Sequence, residues 1–133
     1  MFSRNKQPPI RSLIAEGDRL EGDLHFVQGL RIDGQVVGDV RCTAELGGLL
    51  VVSATARVEG AIHAAHVIVN GEVLGPVFAS TLLELQPKAR VTGDVHYKAL
   101  EMHQGATICG NMLPSNVVIE EKAPLKLAAN ADR

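Results

Sequence analysis

The 133-residue chain has no tryptophan, one tyrosine and three phenylalanines. A globular core usually leans on a few aromatics for bulk. Here 46% of the residues are apolar, so burial must come from valine, isoleucine, leucine and alanine, which suits strands stacked in register better than a helix bundle. Cysteine occurs only at Cys42 and Cys109, far apart and in no metal or redox spacing, which reads as two reduced structural thiols in a cytosolic protein. No apolar run reaches the ~18 to 20 residues of a spanning helix. The first residues lack the long apolar core of a secretory signal, so the expected location is cytoplasmic. A net charge of −2 leaves no broad basic face for nucleic acid. The phosphate-cradling G-x-x-x-x-G-K-[ST] does not occur, and no cofactor is expected.

Glycine, by contrast, is abundant and nearly periodic. Val69 to Val77 reads V-N-G-E-V-L-G-P-V, and Ile32 to Val40 reads I-D-G-Q-V-V-G-D-V, each a doubled apolar-x-Gly-x-apolar unit. Gly22, Gly38, Gly60, Gly75, Gly93 and Gly110 all sit in such units, at steps of 16, 22, 15, 18 and 17 residues. The long step contains R-C-T-A-E-L-G-G, which reads as a short bulging insertion. Leu83, Leu85, Ala89 and Val91 align with Leu50, Val52, Ala56 and Val58, and again with Leu100, Met102, Ala106 and Ile108. Leu30, Ile32 and Gly34 align with Val67, Val69 and Gly71. Polar residues fall between the apolar ones, the period of strands with one buried face.

A repeat between 17 and 18 residues holds about three such strands and their corners. Stacked at ~4.8 Å per layer, these coils predict an all-β parallel β-helix, a solenoid of about six coils over residues 16–113. Residues 1–15, with Pro8 and Pro9 together, read as a flexible N-terminal tail, and residues 114–133 as a flexible C-terminal one. The N-terminal tail has an apolar tip, Met1 and Phe2, beside Ser3, Arg4 and Lys6, which fits a weak tether to anionic lipid. Many copies on one assembly would strengthen it.

A solenoid is closed along its sides and open at its ends, and monomeric ones carry terminal caps. No stretch before Leu20 or after Met112 has helical periodicity of useful length. No proline sits in the expected first coil, Leu20 to Ile32, or the expected last, Leu100 to Met112. The expected interface for self-association is therefore Leu20, Leu24 and Ile32 at one end and Leu100, Met102, Ile108 and Met112 at the other, driven by burial and backbone pairing.

I-D-G-x-V-x-G, V-N-G-x-V-x-G, L-E-L-x-x-x-A-x-V-x-G-D-V and a final G-A-x-x-x-G resemble the bactofilins, bacterial polymer-forming cytoskeletal proteins. The resemblance implies a right-handed β-helix with unstructured tails and filaments formed without ATP or GTP. It further implies scaffolding of cell-wall enzymes or membrane proteins, a role in cell shape, and attachment to the inner membrane through a short N-terminal peptide. M-F-S-R-N-K looks like that peptide. Where family members often carry a phenylalanine in the last coil, this chain has Ile108, which keeps an apolar contact but loses area.

Two other classes compete. A left-handed β-helix acyltransferase needs coil steps in multiples of six, which 16, 15 and 17 are not, and a histidine base at a subunit cleft. Its candidates would be among His25, His63, His66, His96 and His103, all read here as surface residues. His63 and His66 are close to metal-ligand spacing, but the strand context sends them to opposite faces, so no metal site is expected. Asp23, Asp39 and Asp94 each follow a repeat glycine and read as corner residues rather than calcium ligands. A non-polymerising adaptor that binds partners along its sides is the third class.

Overall fold

A computed structural model describes residues 10, 12–44 and 48–114. Among the described residues fifteen short strands wind into a three-sided stack, and every strand pairing is parallel. The first coil holds β1 (Ser12–Ile14), β2 (Arg19–Glu21) and β3 (Leu24–Phe26). The second holds β4 (Gly29–Ile32), β5 (Gln35–Val37) and β6 (Val40–Cys42). The third holds β7 (Leu49–Val52), β8 (Arg57–Glu59) and the start of β9 (Ile62–Val69). The rest of β9, β10 (Glu72–Leu74) and the start of β11 (Val77–Leu85) make the fourth. The rest of β11, β12 (Arg90–Thr92) and the start of β13 (Val95–Met102) make the fifth, and the rest of β13, β14 (Thr107–Cys109) and β15 (Met112–Pro114) the sixth. One face is the six-stranded sheet β14-β12-β10-β8-β5-β2. The other two share the second sheet, because β9, β11 and β13 each run round a corner without a break. The expected parallel solenoid of about six coils is what forms.

Alternation explains the core. Side chains of a strand point in and out by turns, and stacking in register lines the inward ones into columns. Ile14, Ile32, Val52, Val69, Leu85 and Met102 form one. Leu20, Val36, Val58, Val73, Val91 and Ile108 form the second. Leu24, Val40, Ile62, Val77, Val95 and Met112 form the third. Every member of these columns from the second to the fifth coil is at most 2% exposed.

The six repeat glycines stack at the corner between the second and third faces, all at positive φ. Gly60 shows why the corner needs them. Its φ is +155°, and a Cβ there would strike the carbonyl oxygen of Gly38 in the coil beneath. The aspartates after these glycines tie coils together. Asp23 Oδ1 accepts the Asp39 N–H at 3.0 Å, Asp39 Oδ1 the Ala61 N–H at 2.9 Å, and Asp94 Oδ1 the Asn111 N–H at 3.0 Å. The long glycine step is accommodated between β6 and β7. The chain leaves the ladder with the Thr43 N–H donating to Phe26 O and rejoins it with the Leu49 N–H donating to Gln28 O, both at 2.9 Å.

Among the described residues the stack reaches beyond the expected limits. Strand β1 lies within the segment expected to be tail, and it makes the first coil run from Ser12 to Phe26 rather than from Leu20 to Ile32. The last coil likewise carries Pro114 in β15, beyond Met112. Segment Ser12–Ile14 escaped notice because it lacks the repeat glycine, although its apolar Ile14 stands in register with Ile32.

Candidate functional site

The three inward columns have to stop somewhere, and where they stop defines the site. Strands β1, β2 and β3 pair only with the second coil, and the last part of β13, with β14 and β15, pairs only with the fifth. Each end thus presents, among the described residues, a layer of strands with one edge unpaired, which is a template for another strand layer. Among the described residues no helix or further strand lies over either end.

At the N-terminal end the columns finish in Ile14, Leu20 and Leu24, each half-buried against the core. An open hollow of about 490 Å³ lies there, lined by Ser12, Ile14, Leu24, Phe26 and Leu30 among others. At the C-terminal end they finish in Met102, 44% exposed, Met112, 42% exposed, and the half-buried Ile108. Leu100, also half-buried, ends a further column above Leu83.

Six of the seven residues expected at the interface therefore sit in terminal coils: Leu20, Leu24, Leu100, Met102, Ile108 and Met112. Ile32 does not. It lies in the second coil, paired with Ile14, and is fully buried, so the extra strand β1 removes it from the end face. Ile14 takes its place and was missed. A signal existed: Arg19-Leu20-Glu21-Gly22 repeats Arg57-Val58-Glu59-Gly60, and counting back from that match sets Ile14 against Val52. The turns agree, with the Asp18 N–H donating to Ala15 O at 2.9 Å and the Ala56 N–H to Ser53 O at 3.0 Å. The expected lipid-binding residues Met1, Phe2, Ser3, Arg4 and Lys6 lie outside the described residues. Among the described residues no helix is long and apolar enough to cross a membrane.

The sides of the stack carry several ion pairs. Arg57 bridges Glu59 in its own strand and Glu72 in the next coil, each at 2.9 Å. Its hydrogen bond to Glu59, and then the Glu72 charge, raise the guanidinium pKa further. Arg19 pairs with Glu21 at 2.8 Å and Arg31 with Asp33 at 2.9 Å. On the third face the His63, Phe78 and His96 rings form a stacked ladder, with centroids 4.4 Å apart at each step. Burial lowers the His63 pKa, Arg41 adds to that and Asp39 opposes it. His66 is kept from His63 by the corner at Ala64 and Ala65, both buried, so the two imidazoles occupy different faces of the prism. Burial lowers the His66 pKa too, against the pull of Glu84 and Glu101.

Residues 12–113 match the family model for bactofilins, described as polymer-forming cytoskeletal. Bactofilin BacO of Myxococcus xanthus (strain DK1622) is similar to the chain, at 28% identity over 111 residues, covering 84% of this chain and 85% of the relative. No solved structure gives a significant match.

Proposed function

This chain belongs to the bactofilin family, of polymer-forming cytoskeletal proteins, and we propose on that premise that it assembles end to end into filaments through its first and last coils, without nucleotide. The observation that carries the reading is the fate of the inward columns: closed from the second coil to the fifth, and open to solvent at Met102 and Met112. Fully burying a methionine side chain is worth about 1.5 to 3 kcal/mol, so covering half-exposed ones, with the strand edges beside them, favours association. No step in this requires hydrolysis, because the driving force is burial and pairing. The proposed filament lies at the cytoplasmic face of the inner membrane, attached through Met1, Phe2, Ser3, Arg4 and Lys6. There it scaffolds cell-wall enzymes or membrane proteins and contributes to cell shape.

Purified full-length protein with no nucleotide added is expected to pellet on ultracentrifugation and to show threads by electron microscopy. A discrete small species at every concentration would overturn the filament reading and leave the adaptor. For attachment, deleting Met1 to Lys6 is expected to release the protein from anionic liposomes while pelleting persists. Unchanged liposome binding would refute the tether.

A further inference from the structure

The first face carries a side-chain cluster that the polymerisation reading does not use. Glu84, in β11, and Glu101, in β13, stand directly opposite each other in register in the fifth and sixth coils. His103 follows one residue after the end of β13. The ligand atoms of the three residues all lie within 4.8 Å of one another, and His103 Nε2 is 3.5 Å from Glu84 Oε2.

The charge arrangement here differs from that around the paired arginines. Arg19, Arg31 and Arg57 each hold a carboxylate at 2.8 or 2.9 Å. Among the described residues no lysine or arginine forms an ion pair with Glu84 or Glu101. Like charges directly opposite on neighbouring strands repel. Glu84 is moreover only 19% exposed in its side chain, which weakens the help it gets from water. A cation seated between the two carboxylates would remove both costs.

The donors define which cation. One imidazole and two carboxylates form a nitrogen-and-oxygen set suited to a divalent transition ion such as zinc. Zinc holds nitrogen and oxygen at roughly 2.0 to 2.2 Å, which puts neighbouring tetrahedral donors about 3.4 Å apart. The 3.5 Å between His103 and Glu84 fits that. Glu101 is exposed and can swing inward to close the wider gaps. Gln86 Nε2 donates to Glu84 Oε2 at 3.3 Å, an outer contact of the kind that orients a ligating carboxylate.

We propose that Glu84, Glu101 and His103 bind one divalent transition-metal cation, which ties the last coil to the coil beneath it. The site stands on these three residues and does not depend on the chain forming filaments. Because Glu101 and His103 flank Met102, the bound ion also steadies one corner of the C-terminal end.

Equilibrium dialysis of the full chain against micromolar zinc chloride, with magnesium in excess, tests it and reads filaments and monomers alike. The wild-type chain is expected to hold about one zinc more tightly than any other site. Glu101→Gln and His103→Asn should each weaken that binding about tenfold or more. Both positions are exposed, and circular dichroism is expected to show the fold intact. Cys109→Ser, on another face, should leave zinc binding unchanged, and zinc should raise the unfolding temperature of the wild type but of neither ligand variant. Wild-type protein that retains no zinc overturns the proposal, and so does equal retention by Glu101→Gln and His103→Asn.

Discussion

Leu85 and Met102 occupy the same inward column one coil apart, yet Leu85 is 0% exposed and Met102 is 44% exposed. Val95 and Met112 repeat the contrast in the third column, at 0% and 42%. Neither difference comes from residue type, since all four are apolar and all four face inward. It comes from whether another coil follows. A solenoid coil buries its apolar side only against neighbours, so the middle of this molecule is a finished core and each end is half of one. If the proposed assembly holds, stability rests on the middle coils and association on the outer ones, and substitutions can separate the two.

The largest separation is expected along the glycine corner. In Gly60→Ala the new methyl group meets the Gly38 carbonyl oxygen at a φ of +155°, so backbone must move in two coils. A loss of about 3 to 5 kcal/mol is expected, of the size reserved for built-in strain and clash. Against a total of about 5 to 15 kcal/mol, that removes much of the stability. Gly22→Ala, in the first coil, has nothing within 4 Å of the added Cβ. It carries only the conformational penalty of its φ, about 1 to 2 kcal/mol. Urea unfolding of both variants measures the gap, and equal losses would mean that stacking of the glycines is not what the corner depends on.

The next effect lies in the columns. Leu85→Ala empties part of a closed core and should cost about 2 to 5 kcal/mol. Met102→Ala removes a side chain that is already half in water and should cost the dispersed protein about 1 kcal/mol or less. The order reverses for assembly. Met112→Asp leaves the unfolding midpoint nearly unchanged but puts a charge on the end layer, and should leave most of the protein in the supernatant after ultracentrifugation. A Met112→Asp protein that still pellets like wild type would show that the exposed end of the third column takes no part in assembly.

The same contrast decides how much of the fold is legible in the sequence. Middle coils were legible because each repeats its neighbours: the six glycines align, and Leu50, Leu83 and Leu100 stand in one column, as their alignment implied. The first coil was legible only from Leu20 onward, because β1 has no repeat glycine to announce it, and Ile32 was therefore placed at an end it does not occupy. Strand alternation predicts His63 and His66 on opposite faces of the strand; both instead stand at outward positions on different sides of the prism, because a corner at two buried alanines, which has no periodic signature, lies between them. The meeting of Glu84 with Glu101 was implicit in the 17-residue alignment of their flanking leucines and methionine. His103 could not be added from spacing, since its reach toward Glu84 depends on how the chain leaves β13.

The smallest expected effect again singles out the middle of the stack. His63 and His66 sit in the third and fourth coils, and burial is the leading cause of the lowered pKa in both. In the unfolded chain a histidine takes up its proton near pH 6.5, about 6.5 being the ordinary value. In the folded chain these two take theirs up at lower pH. Between those values the unfolded state binds more protons, so stability falls as pH falls. The contribution is fully present above about pH 6.5, is lost as pH drops through the folded values, and then levels off. Both imidazoles retain solvent contact, which screens the effect and makes it the weakest of the three. Thermal unfolding of the Met112→Asp chain, kept from assembling, should show a lower midpoint at pH 5.5 than at pH 8. Adding His63→Asn should flatten part of that slope, because its proton uptake is then gone from the unfolded state. A midpoint that rises on acidification would mean that Asp39, Glu84 and Glu101 outweigh burial at these two positions.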